Sequence, residues 1–303
     1  MLHNIIRIIC ICFLCNNAFA EKINSASKIQ VTASFSILAN IVENIGGDKV
    51  AVNSLVGANQ DAHGYTLKPS DLRKINQSKL LIINGLGLEG GWLNNLSANA
   101  NYKGKVIIAS AGVHSISMAG DSHDGHKHDL DPHIWGDPNL VAQYYVPNIE
   151  SALISVDPQN KAYYQANAKQ YLAQLTELNK WVINKLNAIP ENKRIAVTTH
   201  DAFAYMARAY KIKFIFAQGV STDSDASAKD IATLIATIKT NKVKAVFLEN
   251  MTNNKLINQI AKDSGAVVGG ELYSDALSTS AGSASNYISL VKYNVQTMIA
   301  TWQ

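Results

Sequence analysis

Residues 157–190 read DPQNKAYYQANAKQYLAQLTELNKWVINKLNAIP, and the reading of this segment decides the architecture. Asp157 stands where a helix N-cap would, and Pro158 at the first helical position, where a missing N–H costs nothing. Tyr164, Ala168, Tyr171, Leu175, Leu178, Val182 and Leu186 recur at helical spacing. They draw one apolar stripe along a helix of roughly 45 Å. No convincing internal turn breaks the run into a hairpin, so the spacing predicts a single long helix over residues 157–189.

Strand and helix patterns alternate on both sides of this helix. Upstream, IQVTASF alternates apolar and polar residues like a strand, SILANIVENIGG follows helical spacing until its glycines, and VAVNSLV returns to strand character. Pro69 and Ser70 open a short helix. LLIING (80–85) is the continuous apolar run of a buried parallel strand, GWLNNL (91–96) reads as helix, and KVIIAS (105–110) as strand. Downstream, RIAVTT (194–199), IKFIFA and KAVFLEN read as strands separated by the helical DAFAYMARAY and SAKDIATLIATIKTN. The pattern predicts an α/β protein: two lobes with central, mostly parallel sheets, joined by one long rigid helix. The expected division is an N-terminal lobe over 21–156, the connecting helix over 157–189 and a C-terminal lobe over 190–303.

Residues 1–20, MLHNIIRIICICFLCNNAFA, carry one Arg, a short apolar run from Ile8 to Leu14 and a small-x-small ending at Ala18 to Ala20. That is the pattern of a cleaved secretory signal; Asn16 and Asn17 cut the run too short for a membrane span. Cys15 has Cys12 rather than Leu three residues before it, which favours free release over lipid anchoring. The chain's three cysteines, Cys10, Cys12 and Cys15, all lie in this segment, so the expected mature protein has neither disulfides nor thiolate ligands. The formal net charge of +4 is mild, and Lys and Arg are scattered, which gives no footprint for nucleic acid. The composition, 47% apolar, supports a sizeable core and excludes a disordered chain.

Ligands of open α/β lobes gather beyond the carboxyl ends of strands, and two-lobed proteins bind in the crevice between lobes. His63 in QDAHGYTLKPSD, His133 in DPHIWGDP and His200 at the end of RIAVTTH sit at or near loops and strand ends, and Asp275 follows an apolar stretch in GGELYSDALS. Taken singly, each is an ordinary loop polar residue. Together they offer three imidazoles and one carboxylate, a donor set suited to zinc or manganese. Spacing alone does not bring them together.

DAHGYTLKPSD, NGLGLEGGWL, DPHIWGDP, THDAFAYMARAY, QGVSTDSDASAKDI and GGELYSDALS, in that order, closely resemble the solute-binding proteins of zinc and manganese ABC transporters, the ZnuA and TroA type. The resemblance covers nearly the whole expected mature chain. It implies that His63, His133, His200 and Asp275 ligate one ion, two ligands from each lobe, and that the long helix limits lobe motion. It also implies a partner: a membrane permease driven by a cytoplasmic ATPase. Two departures bear on the metal. Ala62 stands where several zinc members carry an auxiliary Glu, and His200 stands where manganese members usually carry Glu. Three imidazoles favour Zn²⁺, with Mn²⁺ the alternative.

The stretch DSHDGHKHD (121–129), with His123, His126 and His128, resembles the His-rich loop of zinc members, which the family uses as an auxiliary low-affinity metal collector. A solvated polar loop with no transport role is the other reading. GLGLEG (85–90) matches a dinucleotide fingerprint literally, but the following strand lacks the acidic residue that binds a ribose. No HExxH or GxSxG occurs. The expectation is a periplasmic, monomeric metal receptor and not an enzyme. A metal-dependent hydrolase and a surface adhesin are the alternatives.

Overall fold

The computed structural model describes residues 28–90, 92, 102–117, 130–222 and 226–303. The expected signal (1–20), most of GWLNNL, and His123, His126 and His128 lie outside the described residues.

The N-terminal lobe is built on β1 (Ile29–Phe35), α1 (Ser36–Gly46), β2 (Val50–Val56), α2 (Pro69–Gln77), β3 (Leu80–Ile83) and β4 (Lys105–Ile108). Its strands form one parallel sheet in the order β2-β1-β3-β4. β1 and β3 occupy the middle, which is why they read as apolar runs: Val31, Ala33, Leu80, Leu81 and Ile82 are fully buried. A turn at Pro138–Leu140 and a π-helical turn at Val141–Tyr145 lead into α3 (Val146–Val156).

The long helix, α4, runs over Lys161–Leu186, about 39 Å at 1.5 Å per residue. Its buried residues are the seven of the sequence stripe, Tyr164 through Leu186. The start differs from the sequence reading. Pro158–Asn160 form a 3-10 turn, and Asp157 does not cap a backbone N–H through its side chain. Its carboxylate instead accepts hydrogen bonds from the Tyr164 hydroxyl (2.6 Å) and the Asn160 amide (2.6 Å), so side chains at the start of the same helix take the place of the backbone N–H groups.

After α4 come β5 (Ile195–His200), α5 (Ala204–Tyr210), β6 (Lys213–Gln218), α6 (Ala228–Thr240), β7 (Ala245–Glu249), α7 (Lys255–Ser264), β8 (Val267–Leu272) and α8 (Tyr287–Trp302). β5 pairs with β6 and β7 with β8, both parallel, and β5 lies beside β7. One hydrophobic core runs from β1 and α1 through the α4 stripe to Tyr287, Val291, Val295 and Met298 of α8. A second core sits under β5 and β7 between α6 and α7. Since the main core includes residues of both lobes, moving the lobes widely apart would expose apolar surface at about 25 cal/mol per Å².

Candidate metal centre

The four candidate residues come from four separate places. His63 lies in the loop after β2, His200 is the last residue of β5, and Asp275 follows the end of β8. His133 closes the loop after β4 and precedes a 3-10 turn at Ile134–Gly136. The structure brings all four together, with one donor atom from each lying within 4.8 Å of the others.

The spacing is that of a coordination shell. His63 Nε2 is 3.2 Å from His133 Nε2, and Asp275 Oδ2 is 3.5 Å from His63 Nε2 and 3.1 Å from His200 Nε2. Asp275 Oδ1 is 3.5 Å from His133 Nε2. Donors bound tetrahedrally to zinc at about 2.0–2.1 Å stand about 3.3–3.4 Å apart, so these four contacts are close to that spacing. His133, His200 and Asp275 are 0% exposed and His63 9%, which makes His63 the solvent-side member. Both Asp275 oxygens and His200 Nε2 are buried, and none makes a well-aligned hydrogen bond, the 3.1 Å contact between Asp275 Oδ2 and His200 Nε2 included. Buried polar atoms left this way cost about 1–3 kcal/mol each, and a cation between them would satisfy all three.

Two buried carboxylates orient the imidazoles from behind. Asp131 Oδ1 stands 2.8 Å from His133 Nδ1 and accepts the His133 backbone N–H at 2.8 Å. Glu249 Oε2 stands 2.7 Å from His200 Nδ1, while its Oε1 accepts the N–H of Thr199 (2.7 Å) and of His200 (3.0 Å). Carboxylates so placed fix the tautomer that leaves Nε2 free for a metal. Sequence reasoning missed both. The available signals were the acid two residues before His133 and the acid ending the apolar strand KAVFLEN.

The charges respond to one another. Burial pushes the Asp275 carboxyl up, but His200 and His133 outweigh it and hold the group well below the usual carboxylate range. Burial pushes the His200 imidazolium down, but Glu249 and Asp275 raise it well above an ordinary histidine. Glu249, also pushed up by burial, is held low by His200. The cluster is therefore a pocket of negative charge that a proton on His200 partly neutralises, and a divalent cation would displace that proton.

Neighbouring contacts tie the shell to both lobes. The Trp135 indole donates to Ser274 O (2.7 Å), and the Tyr287 hydroxyl donates to Trp135 O (2.6 Å). The glycine turn GLGLEG serves the same centre. Glu89 inserts its buried carboxylate into the turn, accepting the N–H groups of Asn84 (2.6 Å) and Gly85 (2.9 Å). Those are donors a phosphate would need, so no dinucleotide seat remains. The Asn84 side chain donates to Pro132 O (3.1 Å), holding the peptide next to His133.

A two-lobed α/β body that gathers three imidazoles and a carboxylate between its lobes has the architecture of a metal-binding solute receptor. The chain belongs to the family described as zinc-uptake complex component A, periplasmic, whose model matches residues 31–301. It is 32% identical to the metal ABC transporter substrate-binding lipoprotein SsaB of Streptococcus sanguinis over 95% of this chain and 93% of that protein. It is 34% identical to the manganese-binding lipoprotein MntA of Bacillus subtilis over 94% of this chain and 92% of that protein. The solved periplasmic zinc binding protein TroA from Treponema pallidum matches with a TM-score of 0.83 and 29% identity, covering 91% of this chain and 99% of that one. The chain is thus a metal ABC transporter substrate-binding protein. Such proteins work with a membrane permease and an ATPase and are not enzymes, which removes the hydrolase alternative.

Proposed function

We propose that the protein captures Zn²⁺ outside the cytoplasm with His63, His133, His200 and Asp275 and delivers it to the permease of an ABC importer. The carrying observation is the convergence of donors from four residues to within 4.8 Å of one another, with His200 Nε2 and both Asp275 oxygens buried without a partner. The reading includes a periplasmic monomer released by cleavage after Ala20, with lobes over 21–156 and 190–303 and the helical connection over 157–189. His123, His126 and His128 would serve as an auxiliary collecting loop.

Three imidazole nitrogens and one carboxylate suit zinc by donor type, and affinity for a given site rises from manganese to zinc. A second reading, Mn²⁺, is favoured by one observation: both oxygens of Asp275 face the cluster. A carboxylate bound through both would raise the coordination number beyond four. Competitive loading separates the two. Metal-stripped protein equilibrated with Zn²⁺ and Mn²⁺ together, then analysed for bound elements, is expected to retain one tight zinc per chain against excess manganese. Manganese retained under modest zinc competition would assign the site to manganese, and no tight metal would remove the receptor reading.

A further inference from the structure

The four cluster residues are not held alike. His133 and His200 each have a buried carboxylate behind Nδ1, and Asp275 sits wholly buried beyond β8. His63 is the most exposed of the four, and among the described residues no carboxylate stands within 4 Å of its Nδ1. It rides on residues 57–68, a stretch without helix or strand.

Its own lobe holds this loop at Tyr65 and Lys68, which both bond Asp71, and the other lobe holds it around His63. Asn59, in the left-handed region at φ 54, donates its N–H to Leu277 O (2.9 Å) and accepts from the Asn250 side chain (2.9 Å). Thr222, beyond β6, donates its hydroxyl to Asp61 Oδ2 at 2.6 Å. The other oxygen of Asp61 accepts the backbone N–H of His63 at 2.8 Å. One carboxylate therefore links the His63 backbone to the opposite lobe. Beside it lies a cavity of about 300 Å³ lined by Asp61, Thr199, Gln218, Thr222 and Met251, large enough for several waters.

We infer that Asp61 is a positioning residue which, with Thr222, latches His63 into the cluster, and that metal leaves on the His63 side when the Asp61–Thr222 bond opens. The inference rests on His63 being a ligand, as proposed above. The alternative exit, parting the lobes, would open the core that α4 and α8 share with the N-terminal lobe. Releasing the loop breaks three hydrogen bonds across the lobes and withdraws, of the buried residues of that core, Ala62 alone.

The test is the rate of metal loss from zinc-loaded full-length protein after mixing with excess chromophoric chelator. Thr222→Val keeps the shape and removes the donor; it is expected to speed dissociation about tenfold, as loss of one hydrogen bond to a charged group would. Thr222→Ser, which keeps the hydroxyl, is expected to dissociate at the wild-type rate. Asn59→Gly retains the left-handed backbone, loses the Asn250 contact and is expected to accelerate release in the same direction. The absorption spectrum of the Co²⁺-loaded variants should match wild type, because the ligand set is intact. A wild-type rate in Thr222→Val, or equal acceleration in Thr222→Val and Thr222→Ser, overturns the latch while leaving the receptor intact. A wild-type protein that holds no zinc overturns the site itself, and the latch with it.

Discussion

His133→Ala is expected to weaken zinc binding by about a hundredfold or more. Structural zinc sites with four ligands are worth roughly 10–16 kcal/mol, so an equal share for one ligand is about 3 kcal/mol, or about two decades in affinity. His133 is fully buried, touches His63 and Asp275 across the cluster and is braced by Asp131. Replacing His123, His126 and His128 together removes three imidazoles instead of one but is expected to leave the tight site within a few-fold of wild type. Chelator competition on both variants makes the comparison. Equal losses from the two would end the distinction between a tight site and a collecting loop.

Glu249→Gln is expected to lower zinc affinity by about 10–100-fold, the usual effect of losing a carboxylate behind a metal-bound histidine. The amide can still accept the N–H groups of Thr199 and His200, so the local backbone is kept while the charge is lost. The change should also alter the pH profile. In the metal-free protein His200 holds its proton to higher pH than an ordinary histidine, and Glu249 is the strongest influence raising it. Zinc must displace that proton, so wild-type affinity is expected to fall as pH drops, starting above about 6.5, where a free imidazole protonates. In Glu249→Gln the fall should begin at lower pH. Titrations from pH 8 to pH 5.5 measure this; profiles with the same midpoint would show that Glu249 does not set the His200 proton.

The features that were legible in the sequence are those enforced by a repeating local pattern. The α4 stripe could be read residue by residue because a helix buried along one side must present apolar groups at that period, and all seven are buried. LLII stood out because strands inside a parallel sheet are apolar on both faces. What was not legible is which of several available partners each carboxylate takes, near or far in the chain. Asp157 looked like a cap, yet Tyr164 and Asn160 claim its carboxylate. Glu249 looked like an ordinary strand end, and only the fold places it 2.7 Å from His200, forty-nine residues away in sequence. Glu89 looked like one position of a glycine fingerprint, and only the turn shows its carboxylate filling the donors. The elements α7, β8 and α8 carried weaker patterns. β8 contains Gly269 and Gly270, which dilute its strand character, and its Val267 and Val268 are exposed.

The central claim is that one ion sits among His63, His133, His200 and Asp275. Crystals of the zinc-loaded protein measured on both sides of the zinc absorption edge test it most directly. The account predicts a single strong anomalous peak within about 2.0–2.2 Å of the three Nε2 atoms and an oxygen of Asp275. A peak elsewhere, or a zinc held by fewer than three of these four residues, would contradict it.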